Sequence, residues 1–199
     1  MKIFAVINNY GTISADAPAA GSRTNWYTMP DSTVLRSGNP FFIPDTDGGY
    51  EAFASICLRV GRLGKSVAPR FADRYIDGWT MATAVIATRR LAELRAVGLP
   101  WTTAVVFDRS CMLGNLQPID TFNQYDSFEI EHAGSISTYS KELLRLGIAE
   151  TVSRLSAENT IKTGDLILAG LSEKGIGLIE GSRLTIRTND YNLLDINIK

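Results

Sequence analysis

The amino-acid sequence predicts an α+β fold, rich in β-structure and dominated by antiparallel strands. Short runs of β-branched, aromatic and apolar residues recur along the whole chain, as half-buried pleated surfaces require. Helical segments are few by comparison. The two kinds alternate without a βαβ rhythm, so a mixed, largely antiparallel arrangement is expected.

The elements follow in order. Ile3–Ile7 is a five-residue apolar run and reads as a first strand. It is too short for the apolar region of a secretory leader. Residues 8–32, rich in Asn, Gly, Ser, Thr, Ala and Pro, read as a long loop or lid. A second loop covers Ser37-Gly38-Asn39-Pro40 and continues through Ile43–Gly49. Phe53–Val60 and Trp79–Ala87 read as strands. Between them, Pro69–Tyr75 is a short helix, and Arg89–Ala96 is a second, stopped near Gly98-Leu99-Pro100. Thr102–Phe107, with the composition TTAVVF, is predicted as a strand. Ser127–Glu131 alternates, and His132-Ala133-Gly134 looks like its hairpin turn. Ser140 suits a helix N-cap, after which Leu144, Ile148, Val152 and Leu155 place one apolar stripe on a core. Asp165–Ala169, Arg183–Arg187 and Leu193–Ile198 complete a strand-rich C-terminal part.

At 199 residues the chain is expected to form one domain over 1–199. Its 45% hydrophobic and 21% charged residues fit a globular core and exclude a disordered chain. Twenty Lys and Arg oppose twenty-one Asp and Glu, and this balance argues against nucleic-acid binding. Two cysteines make no disulfide framework and read as buried thiols of a reducing compartment. No apolar run approaches the roughly 18 residues that span a bilayer, so no membrane role and a cytoplasmic location are expected.

The single histidine limits the available chemistry. A Ser-His-Asp or Cys-His mechanism would have to use His132, which reads as a solvated turn residue. Zinc needs three or four ligands, which one His and two distant Cys do not supply. Gly175-Ile176-Gly177 through Gly181 is one residue off the dinucleotide spacing and reads as a turn between strands. Arg59, Arg62, Lys65, Arg70, Arg74, Arg89, Arg90 and Arg95 outweigh the acids around them and read as a solvated charged face. Asp45, Asp47 and Glu51 offer oxygen ligands to a hard cation, but not at the spacing of an EF-hand loop.

Several ordered motifs carry a resemblance. They begin with Met29-Pro30-Asp31-Ser32, Pro40-Phe41-Phe42-Ile43-Pro44-Asp45, Tyr50-Glu51 and Arg62-Leu63-Gly64-Lys65. They continue with Arg74-Tyr75-Ile76-Asp77, Gly98-Leu99-Pro100-Trp101, Phe107-Asp108 with Ser110, Gly164-Asp165-Leu166-Ile167 and Gly175-Ile176-Gly177. In this order and spacing, from about residue 3 to residue 199, the chain resembles the fumarylacetoacetate hydrolase family. The resemblance implies a β-rich roll of layered sheets with a few short helices, usually dimeric. It also implies cleavage or rearrangement of small oxo or diketo acids, with a divalent metal as Lewis acid. In that family a Glu-x-Glu pair and a later Asp hold the metal, and a His and lysines assist proton transfer.

Placed on this sequence, those positions are mostly altered. Asn9-Tyr10 match, but the His position falls on Ile13. The first glutamate is Glu51, whereas the second falls on Phe53, or on Ser55 if the spacing shifts. The aspartate falls on Ala84 or Val85, the two lysines on Met29 and Val105, and Leu171 stands in the Thr-Gly-Thr-Pro turn. The ancestral pocket is therefore expected to comprise Asn9, Tyr10, Met29, Glu51, Phe53, Ser55, Ala84, Val85, Val105 and Leu171, with no catalytic residue and no metal ligand set. A lone carboxylate holds Mg²⁺ poorly, and an apolar surround raises its cost. The expectation is a protein of this fold without metal-dependent catalysis and without a cofactor. It would bind a small carboxylic acid, or act as a homodimer or as partner of an active paralogue. The alternative is a divergent hydrolase, decarboxylase or isomerase of small oxo or diketo acids, using Mg²⁺ or Mn²⁺.

Overall fold

Strand pairing in the computed structural model gives two sheets with a helix against one of them. The structure describes residues 1–12, 25–46, 48–189 and 191–199. The first half contains β1 (Lys2–Ile7), β2 (Asn25–Pro30), β3 (Val34–Arg36), β4 (Tyr50–Val60) and β5 (Ile76–Ala87). Then come α1 (Thr88–Ala96), α2 (Thr102–Val105), β6 (Cys111–Leu113) and β7 (Gln117–Pro118). The second half holds β8 (Ser127–His132), β9 (Ser135–Ser140), α3 (Ile148–Glu158), β10 (Leu166–Leu168), β11 (Ile176–Gly177), β12 (Arg183–Arg187) and β13 (Asn192–Asn197).

Among the described residues, nine strands form the larger sheet, in the order β2-β1-β10-β4-β5-β6-β3, with β11 on β4 and β7 on β5. Among the described strands only β1/β10 and β3/β6 pair in parallel, with one isolated parallel bridge between Phe41 and Ile198. The smaller sheet, β13-β12-β8-β9, is antiparallel throughout. The antiparallel, strand-rich α+β class expected from the sequence is the one observed.

The larger sheet is buried on both faces. One face carries Phe4, Ile56, Leu58, Trp79 and Met81 and shares a core with Phe128, Leu184 and Ile186 of the smaller sheet and Val152 and Leu155 of α3. The other face carries Ile3, Ala5, Met29, Cys57, Ala82 and Ala84 and is covered by Ala104 and Val105 of α2. Double burial explains the imperfect alternation of β4: a strand with two apolar neighbours has no polar side to show. Both cysteines are free and buried.

Four expectations are corrected. Residues 25–32 are not loop: Asn25–Pro30 pairs with β1, placing Met29 beside Ile3 and Tyr27 beside Ala5, and Asp31 and Ser32 belong to a 3₁₀ turn over Asp31–Thr33. Alternation in NWYTMP, with Tyr27 and Met29 inward, is what makes this a strand. Thr102–Phe107 is not a strand: its first four residues are α2. Burial of Ala104 and Val105 against the inner cluster outweighs their β-propensity. The helix after Ser140 starts later, at Ile148 behind Gly147. The residues before it are claimed by the N-terminal segment, with Tyr10 bridged to Leu144 and Arg145 N–H donating to Asn9 O at 3.0 Å. Finally, His132 is the last residue of β8 and only 6% exposed. The turn itself is Ala133 (φ 47°) and Gly134 (φ 78°), two left-handed residues in the pattern of a tight hairpin.

Candidate functional site

Side chains on one strand point alternately to opposite faces, so Glu51, Phe53, Ser55 and Cys57 share a face of β4. Register with β5 sets Glu51 opposite Ile86, Phe53 opposite Ala84 and Ser55 opposite Ala82. Ala84 joins Met29, Val105 and Leu171 in the inner cluster, with Phe53 packed against it, whereas Val85 belongs to the outer core. Geometry therefore selects Ala84, not Val85, as the neighbour of the Glu51–Phe53 pair.

The Glu51 carboxylate is half-buried at the edge of this face. Thr88 Oγ1, at the first residue of α1, lies 3.1 Å from Glu51 Oε1 and 2.7 Å from Gly49 O, and shares its one proton between them. On the other side, the turn leading into β11 presses onto the same group. A Cβ on Gly175 would stand 2.1 Å from Glu51 Oε2 and 2.7 Å from the Phe53 ring tip. That approach requires glycine, and the pairing of Gly177 with Glu51 holds the turn in place.

Ser55 is wholly buried and its hydroxyl is engaged: it donates to Ile56 O at 2.9 Å and accepts from Gly170 N–H at 3.1 Å. The Asn9 amide donates to Ala169 O at 2.7 Å and to Leu146 O at 3.2 Å, and its oxygen accepts from Leu146 N–H at 2.8 Å. Tyr10 lies in the outer core, stacked on Tyr139 with ring centroids 4.1 Å apart, and accepts from Ser140 N–H. Asn9 and Tyr10 thus join the N-terminal segment to residues 140–151 and 169 rather than facing the Glu51 side. Arg145 adds to this clamp through Gly11 O at 3.4 Å and the Glu173 carboxylate at 3.1 Å.

Met29 is completely buried, and Ala84, Val105 and Leu171 are at most 6% exposed. Of the ten expected pocket residues, Met29, Phe53, Ala84, Val105 and Leu171 meet in one apolar cluster, with Glu51 at its rim. The positions of Ile13 and Asp47 lie outside the described residues. Sequence reasoning missed Thr88, Gly175 and Arg145. It also missed Tyr27, whose buried hydroxyl has no partner among the described residues and whose phenol is pushed up by burial. Gly175 had a signal in the Gly175-Ile176-Gly177 run; the others had none. The sole histidine sits apart, its Nε2 2.8 Å from Ser182 Oγ, and burial lowers its pKa.

A model of the fumarylacetoacetate (FAA) hydrolase C-terminal family matches residues 2–196. The chain belongs to the fumarylacetoacetate hydrolase family. A mitochondrial oxaloacetate tautomerase of Arabidopsis thaliana is 26% identical over 189 residues, covering 92% of this chain and 84% of the relative. A mitochondrial oxaloacetate decarboxylase of Dictyostelium discoideum is 23% identical, covering 90% of this chain and 84% of its own. The fold matches a fumarylpyruvate hydrolase from Pseudomonas aeruginosa, solved with Mn²⁺ and pyruvate, at a TM-score of 0.88. That match has 20% identity and covers 100% of this chain and 89% of the other.

The metal implied by the family needs oxygen donors, and the side chains here do not fit it. Phe53 and Ala84, the groups beside Glu51 on this face, carry no donor atom. Among the described residues no three His, Cys, Asp or Glu come together. Hard divalent cations bind through several oxygens, more than one carboxylate or a carboxylate with phosphates.

Proposed function

We propose that this chain is a fumarylacetoacetate hydrolase-fold protein that works without the family's metal-dependent catalysis. One observation carries the reading: Phe53 and Ala84 stand directly opposite each other next to Glu51, where two further carboxylates would be needed. The filling of this face by buried Met29 and by Phe53 against Gly175 supports a role in partnership over small-ligand binding. The partner would be a second copy of the chain or an active paralogue. No helix of the described residues is long and apolar enough to cross a membrane.

A second reading has its own support. The relatives are named as tautomerases and decarboxylases of oxaloacetate, and taken alone they favour an enzyme of small oxo or diketo acids using Mg²⁺ or Mn²⁺. Titration of Mg²⁺ and Mn²⁺ by calorimetry, with oxaloacetate tautomerisation and acylpyruvate hydrolysis assayed beside it, separates the two. The first reading expects no saturable metal binding and no turnover above background. Micromolar metal binding that disappears in Glu51→Ala, together with turnover, would establish the second and end the first.

A further inference from the structure

Among the described residues the edge strand β3 lies at the end of the larger sheet opposite β2 and pairs only with β6. Against it opens a cleft of about 720 Å³. Its lining mixes polar and apolar groups, with Val34, Pro40 and Met1 as the apolar side chains beside Asn39, while Leu35 next to them turns its side chain into the outer core. Two arginines reach it from different segments: Arg36 ends β3, and Arg109 lies two residues ahead of β6. Parallel register, Val34 with Cys111 and Arg36 with Leu113, holds those segments side by side.

Both guanidinium groups are exposed, and neither has a carboxylate partner among the described residues. Asp31 is the one acid in the described lining, so the cleft keeps a net positive charge in a chain whose overall charge is -1. Arg109 has φ 63°, a left-handed backbone that residues with a Cβ adopt at a cost. The turn that imposes it is fixed at both ends. Ser110 N–H donates to Phe107 O at 3.1 Å, Phe107 N–H donates to Ser110 Oγ at 3.3 Å, and Val85 N–H donates to Ser110 O. Strained backbone positions cluster at ligand clamps, and this turn fixes the backbone from which the exposed Arg109 side chain reaches the cleft. Arginine forks match carboxylates bidentately and pre-organised donors lose little on binding.

We propose that this cleft binds a small organic anion, a carboxylate on a short apolar chain, with Arg36 and Arg109 taking the carboxylate and Val34 and Pro40 taking the chain. The site is separate from the Glu51 face and stands whichever reading of that face holds.

Calorimetric titration with hexanoate, and in parallel with inorganic phosphate, tests it. Saturable hexanoate binding is expected, weakened about tenfold by Arg36→Gln and by Arg109→Gln, with phosphate at least about tenfold weaker than hexanoate. Arg109→Gly is expected to lose the same affinity while raising Tm by about 2–4 °C, because glycine relaxes the left-handed backbone. Absence of saturable hexanoate binding would overturn the proposal. So would unchanged affinity in the double arginine variant, retained affinity in Arg109→Gly, or phosphate binding as tightly as hexanoate.

Discussion

At the scale of single residues, the Glu51 face is decided by three side chains in register. Glu51 keeps its carboxylate but uses it locally, against the Thr88 hydroxyl and the Gly175 backbone. Phe53 and Ala84, the pair next to it on this face, offer only hydrocarbon. If those two substitutions are what separates this chain from a metal-binding relative, reversing them restores a cage. Phe53→Glu combined with Ala84→Asp is expected to bind Mn²⁺ at least about tenfold more tightly than the wild type. Without metal, the variant buries carboxylates in an apolar surround and loses several kcal/mol of stability. Saturating Mn²⁺ then raises its Tm, since a ligand that binds only the folded state stabilises it by mass action. A thermal melt with and without Mn²⁺ reads both effects. A Tm that ignores Mn²⁺ would show that register alone does not define a metal site on this face.

At the scale of elements, the segment 8–12 is held by backbone and side-chain bonds to residues 144–151 rather than left as a lid. Asn9 carries most of this: three carbonyl or amide groups of Ala169 and Leu146 have its amide as their partner, all of them buried. Asn9→Ala is expected to cost about 2–4 kcal/mol, because buried polar groups left without partners lose their full desolvation energy. Urea unfolding with an unchanged m-value measures it, and a loss under about 1 kcal/mol would mean that water replaces the amide. This contact also explains what the sequence could reveal. Strands β5, β8, β12 and β13 were legible because their apolar residues recur with strand periodicity or as an apolar run. The resemblance motifs were legible because they are local strings. The helix start at Ile148 was not, because the stripe at Leu144 continues into a segment captured by Asn9 and Tyr10, more than a hundred residues away in the chain. Nor was α2, where docking of Ala104 and Val105 overrides a strand-like composition. Selection of Ala84 over Val85 required the β4–β5 register itself, which spacing along one chain does not contain.

At the scale of the whole molecule, the larger sheet separates two cores, and the inner one takes in Met29, Phe53, Ala84, Val105 and Leu171, five of the residues that the family resemblance places at a pocket. An open pocket and a packed core make different demands on the same residue. Met29 stands where the family resemblance expects a lysine, and its side chain is wholly buried among Ile3, Tyr27 and the α2 residues of the inner cluster. Removing a buried side chain from a packed core costs the lost transfer energy plus the cavity left behind, about 2–5 kcal/mol for Met→Ala. Trimming a side chain that lines an open, hydrated cleft costs well under that, because water already occupies the space. Met29→Ala is therefore expected to lower unfolding free energy by at least about 2 kcal/mol, a large share of the 5–15 kcal/mol typical of a domain. Chemical denaturation of Met29→Ala measures the loss directly. A near-neutral result would mean that the inner face is an open pocket after all, and would move the weight toward a ligand-binding or catalytic role for the Glu51 face.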